Sequence, residues 1–181
     1  MTELDDGIFV LGNGKIEATI QGGHILSLLD VELQRELIPP GKAGHRFILY
    51  DDQPLYWDAW DVEIYHLETP QELGQGKTTI ADRGPLRVGL MVEHKISEQS
   101  WIKTMITLDA YVPDGSTGGF KSPLNYLQFE CEVEWHENRR FLKVEFPIDI
   151  YSDTVPSIIN PVNGVGFIRI TVRHCKASNS L

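Results

Sequence analysis

The chain has 181 residues, of which 41% are hydrophobic and 23% charged, a composition typical of a globular domain with a sizeable core. Sixteen Lys and Arg against 26 Asp and Glu give a net charge of −10, and no basic block occurs anywhere. Nucleic acid and membrane are therefore excluded as expected partners, because nucleic acids and anionic lipid surfaces bind concentrated positive charge.

The sequence predicts a cytoplasmic protein. No apolar run approaches the ~18 residues of a transmembrane helix, and the start, MTELDDG, is acidic where a targeting peptide would be basic. The two cysteines agree with this prediction. Cys131 falls in an alternating strand pattern and is expected to be a buried thiol, whereas Cys175 lies in a polar tail.

Short strands open the chain. Three segments rich in apolar residues predict an antiparallel meander: residues 7–12, 14–21 and 24–30. The dipeptides Asn13-Gly14 and Gly22-Gly23 separate them and favour hairpin turns, because they tolerate positive φ. A loop over residues 31–45 then leads into a strand at Arg46–Tyr50.

The segment from Phe47 to His66, FILYDDQPLYWDAWDVEIYH, is the most unusual stretch of the chain. Pro54 ends any regular strand because it has no N–H to donate. Residues 56–66 hold four aromatic side chains, three carboxylates and one imidazole. This mixture is poor core material, since buried carboxylates and indole N–H groups need partners. Residues 57–66 could hold helical turns. The segment is either a tightly hydrogen-bonded structural corner or a surface that meets a polyhydroxylated ligand.

Six side chains of this segment are the candidate ligand-binding residues: Trp57, Asp58, Trp60, Asp61, Tyr65 and His66. The aromatic rings could form a platform for the apolar face of a sugar, with the two aspartates orienting its hydroxyl groups. Asp58, Asp61 and His66 could also bind a metal, but the spacing D-x-x-D-x4-H belongs to no standard site. Catalysis by Asp58 and Asp61 is disfavoured, because carboxylates on one short segment cannot easily flank a glycosidic bond from opposite faces. No catalytic or metal-binding residue is therefore predicted.

Residues 67–84 predict irregular structure, with an exposed loop over Gln71–Lys77. From residue 85 onward, period-two alternation with one polar face predicts half-buried antiparallel strands. Four sets of apolar residues at alternating positions mark the faces that these strands are predicted to bury. They are Leu86, Val88, Leu90, Val92 and Ile96; Ile102, Ile106 and Leu108; Leu127, Phe129, Cys131, Val133 and Trp135; and Leu142, Val144, Phe146, Ile148 and Ile150. Three glutamates alternate with the apolar residues of one strand: Glu130, Glu132 and Glu134. They are expected to face solvent or a partner domain rich in Lys and Arg.

The last two of these strands are predicted to pair with each other across a turn at Glu137–Arg140. This register sets Trp135 opposite Leu142, Val133 opposite Val144, Cys131 opposite Phe146, Glu134 opposite Lys143 and Glu132 opposite Glu145. Apolar burial decides the register, because each large side chain contributes roughly 1.5–3 kcal/mol, against a few tenths for a charge pair.

The resulting prediction is an all-β fold, an antiparallel β-sandwich, over residues 1–155. A Gly-, Ser- and Pro-rich inserted loop covers 112–125. A divergent tail covers 156–181, with a possible strand at Gly166–Arg173 and frayed terminal residues. Motifs for nucleotide binding, zinc proteolysis and serine hydrolysis are absent. The histidines outside the unusual segment are isolated in sequence and are expected in turns or on the surface: His24, His45, His94, His136 and His174.

Two runs carry a resemblance to a known family: LYDDQPLYWDAWDVEIYHLET at 49–69 and EVEWHENRRFLKVEFPIDIYSDT at 132–154. The chain resembles the cytosolic and vacuolar α-mannosidases of glycoside hydrolase family 38, in the galactose-mutarotase-like β-sandwich region that lies C-terminal to their catalytic barrel. The likeness covers residues 7–110 and 126–154. The segment 112–125 and the chain after Thr154 depart from the family pattern, for which we hypothesise an incomplete or misjoined gene model.

The resemblance implies an incomplete portion of a retaining exo-α-mannosidase, with the cytoplasm or the vacuole as its location. In that family an aspartate nucleophile and zinc act on a terminal mannose of an oligosaccharide, and both are held by an N-terminal barrel whose motifs are not in this sequence. The expected cofactor content of this chain is therefore none, and its expected partners are the catalytic barrel domain and, through the whole enzyme, mannose-containing glycans. The alternatives are a free-standing carbohydrate-binding module and a structural docking domain.

Overall fold

The computed structural model shows an all-β sandwich, as predicted. The structure describes residues 1–56, 62–111, 126–149 and the backbone of 168–177. The strands of these ranges are β1 (Thr2–Glu3), β2 (Ile8–Gly12), β3 (Ile16–Gln21), β4 (His24–Asp30), β5 (Arg35–Glu36), β6 (Arg46–Asp51), β7 (Gln71–Glu72), β8 (Lys77–Arg83), β9 (Arg87–Lys95), β10 (Trp101–Asp109), β11 (Leu127–Trp135), β12 (Arg140–Glu145) and β13 (Ile168–Ala177). Two 3₁₀ turns, Asp5–Gly7 and Ile64–Glu68, accompany them.

The strands form three sheets. The meander sheet contains β1 to β5 in chain order, the small sheet has the order β12-β6-β7, and the large sheet has the order β13-β11-β10-β9-β8. Neighbouring strands are antiparallel, except that β13 runs parallel to β11. Thr104 marks the register at the centre of the large sheet, where it lies opposite Val92 on β9 and Cys131 on β11.

The opening meander forms as the sequence predicts. Gly14, Gly22 and Gly23 all have positive φ, at the turns between β2 and β3 and between β3 and β4. Along β3, Ile16, Ala18 and Ile20 are fully buried, and the residues between them are at least partly accessible. Period-two burial of this kind leaves one face of the sheet for the core.

One face of the large sheet packs against both other sheets, so the fold has two layers and two hydrophobic cores. The upper core joins the meander sheet to the large sheet through Phe9, Leu11, Ile16, Ile20, Leu28, Leu90, Val92, Ile106, Leu127, Phe129 and their neighbours. The lower core joins the small sheet to the large sheet through Phe47, Leu49, Leu73, Ile102 and Cys131. Cys131 is buried, as its strand pattern predicted.

The predicted pairing of β11 with β12 is wrong. β11 pairs with β10 and β13, whereas β12 crosses to the other layer and pairs with β6. The connection is tied to the turn between β9 and β10: the His136 backbone N–H donates to Ser100 Oγ at 2.9 Å. Serine hydroxyls at Ser97 and Ser100 also donate to the Glu137 carboxylate and lower its pKa.

The hydrophobic faces of β11 and β12 were nevertheless assigned correctly. Leu142 and Val144 pack in the lower core with Val133 and Trp135, but they meet them across the two layers and not side by side. The predicted charge pairs are also replaced, since Glu145 contacts Arg46 at 2.8 Å. Alternation therefore identified which side chains are buried but not which strand is the neighbour.

Two other expectations change in the structure. Within 67–84, predicted to be irregular, β7 and β8 are strands, and β8 pairs with β9. β8 is mostly exposed at the end of the large sheet, so it lacks the apolar alternation by which the other strands were recognised. The tail strand predicted at Gly166–Arg173 is present as β13, displaced toward the C-terminus. The inserted loop 112–125 lies outside the described residues.

Candidate functional site

The candidate site is the described part of residues 50–69, which we call the corner. It begins at the end of β6, and its last residue, Thr69, lies beside β6 again. The Asp51 backbone N–H donates to Thr69 Oγ1 at 3.1 Å, and the Thr69 hydroxyl donates to the His66 carbonyl at 3.1 Å. Inside the corner, the His66 backbone N–H donates to the Glu63 carbonyl at 3.2 Å. These bonds hold the two ends of the corner together.

His66 is held by contacts on both of its ring nitrogens. Nδ1 lies 2.7 Å from the Glu63 carbonyl oxygen, which can only accept, so Nδ1 carries the proton. Nε2 lies 2.7 Å from Lys143 Nζ and accepts from it. The ring also packs edge-on against Tyr50 and Phe141, with centroids 5.0 and 5.1 Å away. His66 therefore links the corner to β12.

Lys143 lies over the same aromatic rings. Its Nζ is 5.1 Å from the Tyr50 centroid and 5.3 Å from the Phe141 centroid. Those two rings are stacked at 5.3 Å. A cation over aromatic faces contributes about 0.5–1 kcal/mol at exposed sites. The contacts of His66 and Lys143 therefore join one edge of the corner to β12.

An acidic cavity of about 180 Å³ lies within the corner. Its described lining is Asp51, Asp52, Gln53, Glu63, Tyr65, His66, Glu68 and Thr69. Asp52 Oδ1 is buried there without a hydrogen-bond partner among the described residues. Arg140 Nε lies 3.4 Å from Asp51 Oδ1 and partly balances the negative charge. The cavity is smaller than the roughly 300–1,000 Å³ of typical ligand pockets, so it can receive the edge of a polar group but cannot enclose a glycan.

Exposed apolar side chains are concentrated in the corner. Ten large hydrophobic side chains are exposed in the described ranges, and six of them lie between residues 55 and 67: Leu55, Tyr56, Val62, Ile64, Tyr65 and Leu67. Clusters of exposed apolar side chains on a soluble protein mark interaction surfaces. The corner thus combines an apolar surface with an acidic cavity.

Of the predicted site residues, Tyr65 and His66 are described. Tyr65 is 59% exposed beside the cavity, and His66 is partly buried. Trp57, Asp58, Trp60 and Asp61 lie outside the described residues, so the aromatic platform and the role of the two aspartates remain predictions. Within the described ranges, no three His, Cys, Asp or Glu side chains are placed to hold a metal ion.

Sequence reasoning missed Lys143, because nothing local connects it to a histidine 77 positions earlier. It also did not foresee that two histidines are buried. His45 lies at a bend just before β6, as expected of a turn residue, but it is only 1% exposed. His94, expected in a turn or on the surface, lies within β9 and is 2% exposed. For His94 a signal was available, since it shares the parity of the buried residues Leu90 and Val92.

Comparison with known proteins identifies the family. Residues 11–160 match the glycosyl hydrolases family 38 C-terminal domain. The chain is 41% identical to "Alpha-mannosidase 2C1" of Homo sapiens over 150 residues, covering 81% of this chain and 13% of that protein. It is 33% identical to "Alpha-mannosidase" of Saccharomyces cerevisiae over 162 residues, covering 84% of this chain and 14% of that protein.

The chain therefore spans about 13% of the length of the human relative that it matches. No helix within the described ranges is long and apolar enough to cross a membrane. The family match agrees with the all-β architecture and with the two runs at 49–69 and 132–154. The chain belongs to the C-terminal domain family of the family 38 glycosyl hydrolases.

Proposed function

We propose that this chain is the β-sandwich portion of an α-mannosidase that hydrolyses terminal α-mannosyl residues during oligosaccharide catabolism. In this proposal the chain supports and shapes the active site of a catalytic barrel that it does not itself contain. The family match, together with the small share of the relatives that the chain covers, carries the proposal. The exposed apolar surface of the corner supports it, because such a surface needs a partner.

Within this proposal the chain contributes no chemical step by itself. Retaining glycosidases need two carboxyl groups on opposite sides of the scissile bond, about 5–5.5 Å apart. The carboxylates of the corner cavity line one small depression and are in part neutralised by Arg140. The described residues do not fit a zinc site, so we propose that the zinc implied for the family is held by the barrel.

The first prediction is that the purified chain does not hydrolyse an aryl α-mannoside, with or without added zinc. The measurement is release of the aryl alcohol, compared with a buffer blank and with the intact human relative as positive control. Turnover proportional to chain concentration, surviving further purification, would contradict the absence of catalytic groups from this chain.

The second prediction concerns the corner as a docking surface for the barrel. In a chimera, residues 11–160 of this chain, which match the family domain, replace the corresponding segment of the human relative. Leu67→Asp in that chimera is expected to lower α-mannosidase activity at least tenfold, because a carboxylate is then buried against the barrel without a partner. In the isolated chain the same substitution should leave the melting temperature unchanged, since Leu67 is 57% exposed.

Leu33→Asp is the matched control, because Leu33 is also an exposed leucine, at 71%, but lies outside the corner. The Leu33→Asp chimera is expected to keep the activity of the parent chimera. Equal activities for the two chimeras would show that the corner does not dock. An inactive parent chimera would count against the proposed function itself.

A second candidate function, carbohydrate binding by the isolated chain, is favoured by one observation. Tyr65 presents an exposed ring beside carboxylates that can accept hydrogen bonds from sugar hydroxyls. Calorimetric titration with mannose and manno-oligosaccharides separates the two functions. A saturable heat at millimolar sugar supports a binding module, and its absence leaves the corner as a protein-docking surface.

We also propose a cytoplasmic location. The proposal rests on the resemblance of the runs at 49–69 and 132–154 to the cytosolic and vacuolar α-mannosidases. Fluorescence microscopy of the tagged protein, with the vacuole as the alternative compartment, tests this location.

A further inference from the structure

Three histidines meet where the three sheets join. His24 begins β4 of the meander sheet, His45 immediately precedes β6 of the small sheet, and His94 lies near the end of β9 of the large sheet. The rings of His24 and His94 are stacked with centroids 6.5 Å apart. Phe47 bridges the other pair, at 4.8 Å from the His45 ring and 5.2 Å from the His94 ring.

The surroundings of the three rings suit the neutral form. His45 Nδ1 donates to the Gly23 carbonyl at 2.9 Å, and its ring also packs on Phe129 at 4.7 Å. Within the described residues, both ring nitrogens of His94 and Nε2 of His24 are buried without a hydrogen bond. The Gly22 carbonyl favours protonation of His94 but makes no hydrogen bond of ordinary geometry with it.

The backbone around the rings is closely packed and partly strained. A Cβ on Gly23 would lie 2.9 Å from His94 Cε1, and a Cβ on Gly76 would lie 2.8 Å from the same atom. His45 has a φ of 55°, a left-handed conformation that is uncommon for a residue with a side chain. Space for a water molecule or a counter-ion beside His94 is therefore small, and His45 is a bent point of the chain just before β6.

We propose that His24, His45 and His94 form an acid-sensitive joint, at which protonation loosens the small sheet, and with it the corner, from the rest of the sandwich. The step is the transfer of a proton from hydronium in the solvent to an imidazole nitrogen, which forms one N–H bond and changes no other covalent bond of the protein. The corner follows β6 directly in the chain, so it would move with the small sheet. Loosening of this joint would expose the lower core, which β6 and β12 cover.

Among the described residues, few charged groups near the joint could neutralise an imidazolium. From the small sheet, Glu72 raises the pKa of His24, but Arg46 lowers it and is itself 3.0 Å from the Glu72 carboxylate. From the large sheet, Cys131 on β11 packs in the lower core with Phe47. Burial raises the pKa of its thiol, so Cys131 supplies no negative charge. Burial lowers the pKa of His45 to about 4 and that of His94 to about 4, and it also lowers the pKa of His24.

The sign of the effect follows from these directions. An imidazole with a folded pKa of about 4 and an unfolded value of 6.5 binds more protons in the unfolded state throughout that window. The stabilisation is fully present above pH 6.5 and is lost as pH falls toward 4. Each of His45 and His94 should raise the unfolding equilibrium constant roughly 10- to 30-fold between pH 6.5 and 5. Carboxylates whose pKa is lowered in the folded chain also make stability depend on pH. Their effect falls below this window, because their ordinary pKa is 4.5.

The third prediction is therefore a steep loss of stability of the 181-residue chain between pH 6.5 and 5, measured by urea unfolding at each pH. His94→Leu and His45→Phe should each make the curve shallower by about tenfold in the unfolding constant across this interval. His136→Gln, which replaces a histidine at the edge of the fold, should leave the steep curve unchanged. A curve for the unaltered chain that is flat across the interval would overturn the proposal.

Two further measurements do not depend on whether a variant folds. Imidazole nitrogen chemical shifts at pH 5.5 should report neutral His45 and His94 in the folded chain, and protonated rings in a folded chain would overturn the proposal. Amide hydrogen exchange, corrected for its intrinsic pH dependence, should show that β6 and β12 lose protection before β2 and β3 as pH falls. Uniform loss across all sheets would refute a local joint.

Discussion

Leu90→Ala is expected to lower the free energy of unfolding by about 2–5 kcal/mol. Leu90 is fully buried in the upper core, and it lies opposite Ile106 on the neighbouring strand of the large sheet. Truncation removes the transfer free energy of the lost methyl and methylene groups and leaves a cavity. Surrounding side chains on two packed sheets can collapse only partly into that cavity, so the loss should fall in the middle of this range or above it.

Leu86→Ala provides the matched control. Both leucines belong to the same apolar parity of the sequence, but Leu86 is 77% exposed at the beginning of the strand region, and we expect a change within about 0.5 kcal/mol. Urea unfolding at pH 7.5 followed by tryptophan fluorescence gives both values. Similar losses for the two variants would show that the upper core is not arranged as described.

Gly76→Ala is expected to destabilise the chain by about 1–3 kcal/mol, through overpacking and not through lost contacts. A Cβ at this position would lie 2.7 Å from Val92 Cγ1 and 2.9 Å from the Glu93 carbonyl oxygen. One of these neighbours is backbone of β9, so relief requires movement of the loop or of the strand. The Gly76 N–H donates to the Gly22 carbonyl at 2.8 Å, and such movement would weaken that bond as well.

Gly74→Ala is the control for this substitution, because a Cβ at Gly74 meets no atom within 4 Å. Replacement of an exposed glycine by alanine also reduces the conformational entropy of the unfolded chain, so we expect no loss and a gain of up to about 1 kcal/mol. Thermal unfolding monitored by circular dichroism compares the two variants. If Gly76→Ala is as stable as Gly74→Ala, the close approach of this loop to β9 is not present in solution.

The candidate site shows how much of a functional surface can be predicted from amino-acid composition. The concentration of aromatic and acidic residues between 56 and 66 identified the corner, and the exposed side chains of Leu55, Tyr56, Ile64, Tyr65 and Leu67 agree with a surface that meets something else. One of the contacts that hold His66, however, comes from Lys143 on a distant strand. A residue's partners at such separations depend on how sheets are layered, which no local pattern encodes.

By itself the sequence determined the all-β class, the opening meander, the faces of β9 to β12 and the family. Period-two alternation is a property of the single strand, so the partial burial of Leu142 and Val144 could be predicted without knowing their neighbours. Only the tertiary structure decided that β12 pairs with β6, that β8 completes the large sheet and that His45 and His94 are buried together. The physical reason is that burial against any apolar partner stabilises an apolar face. Strand pairing and layering therefore depend on the packing of the chain as a whole.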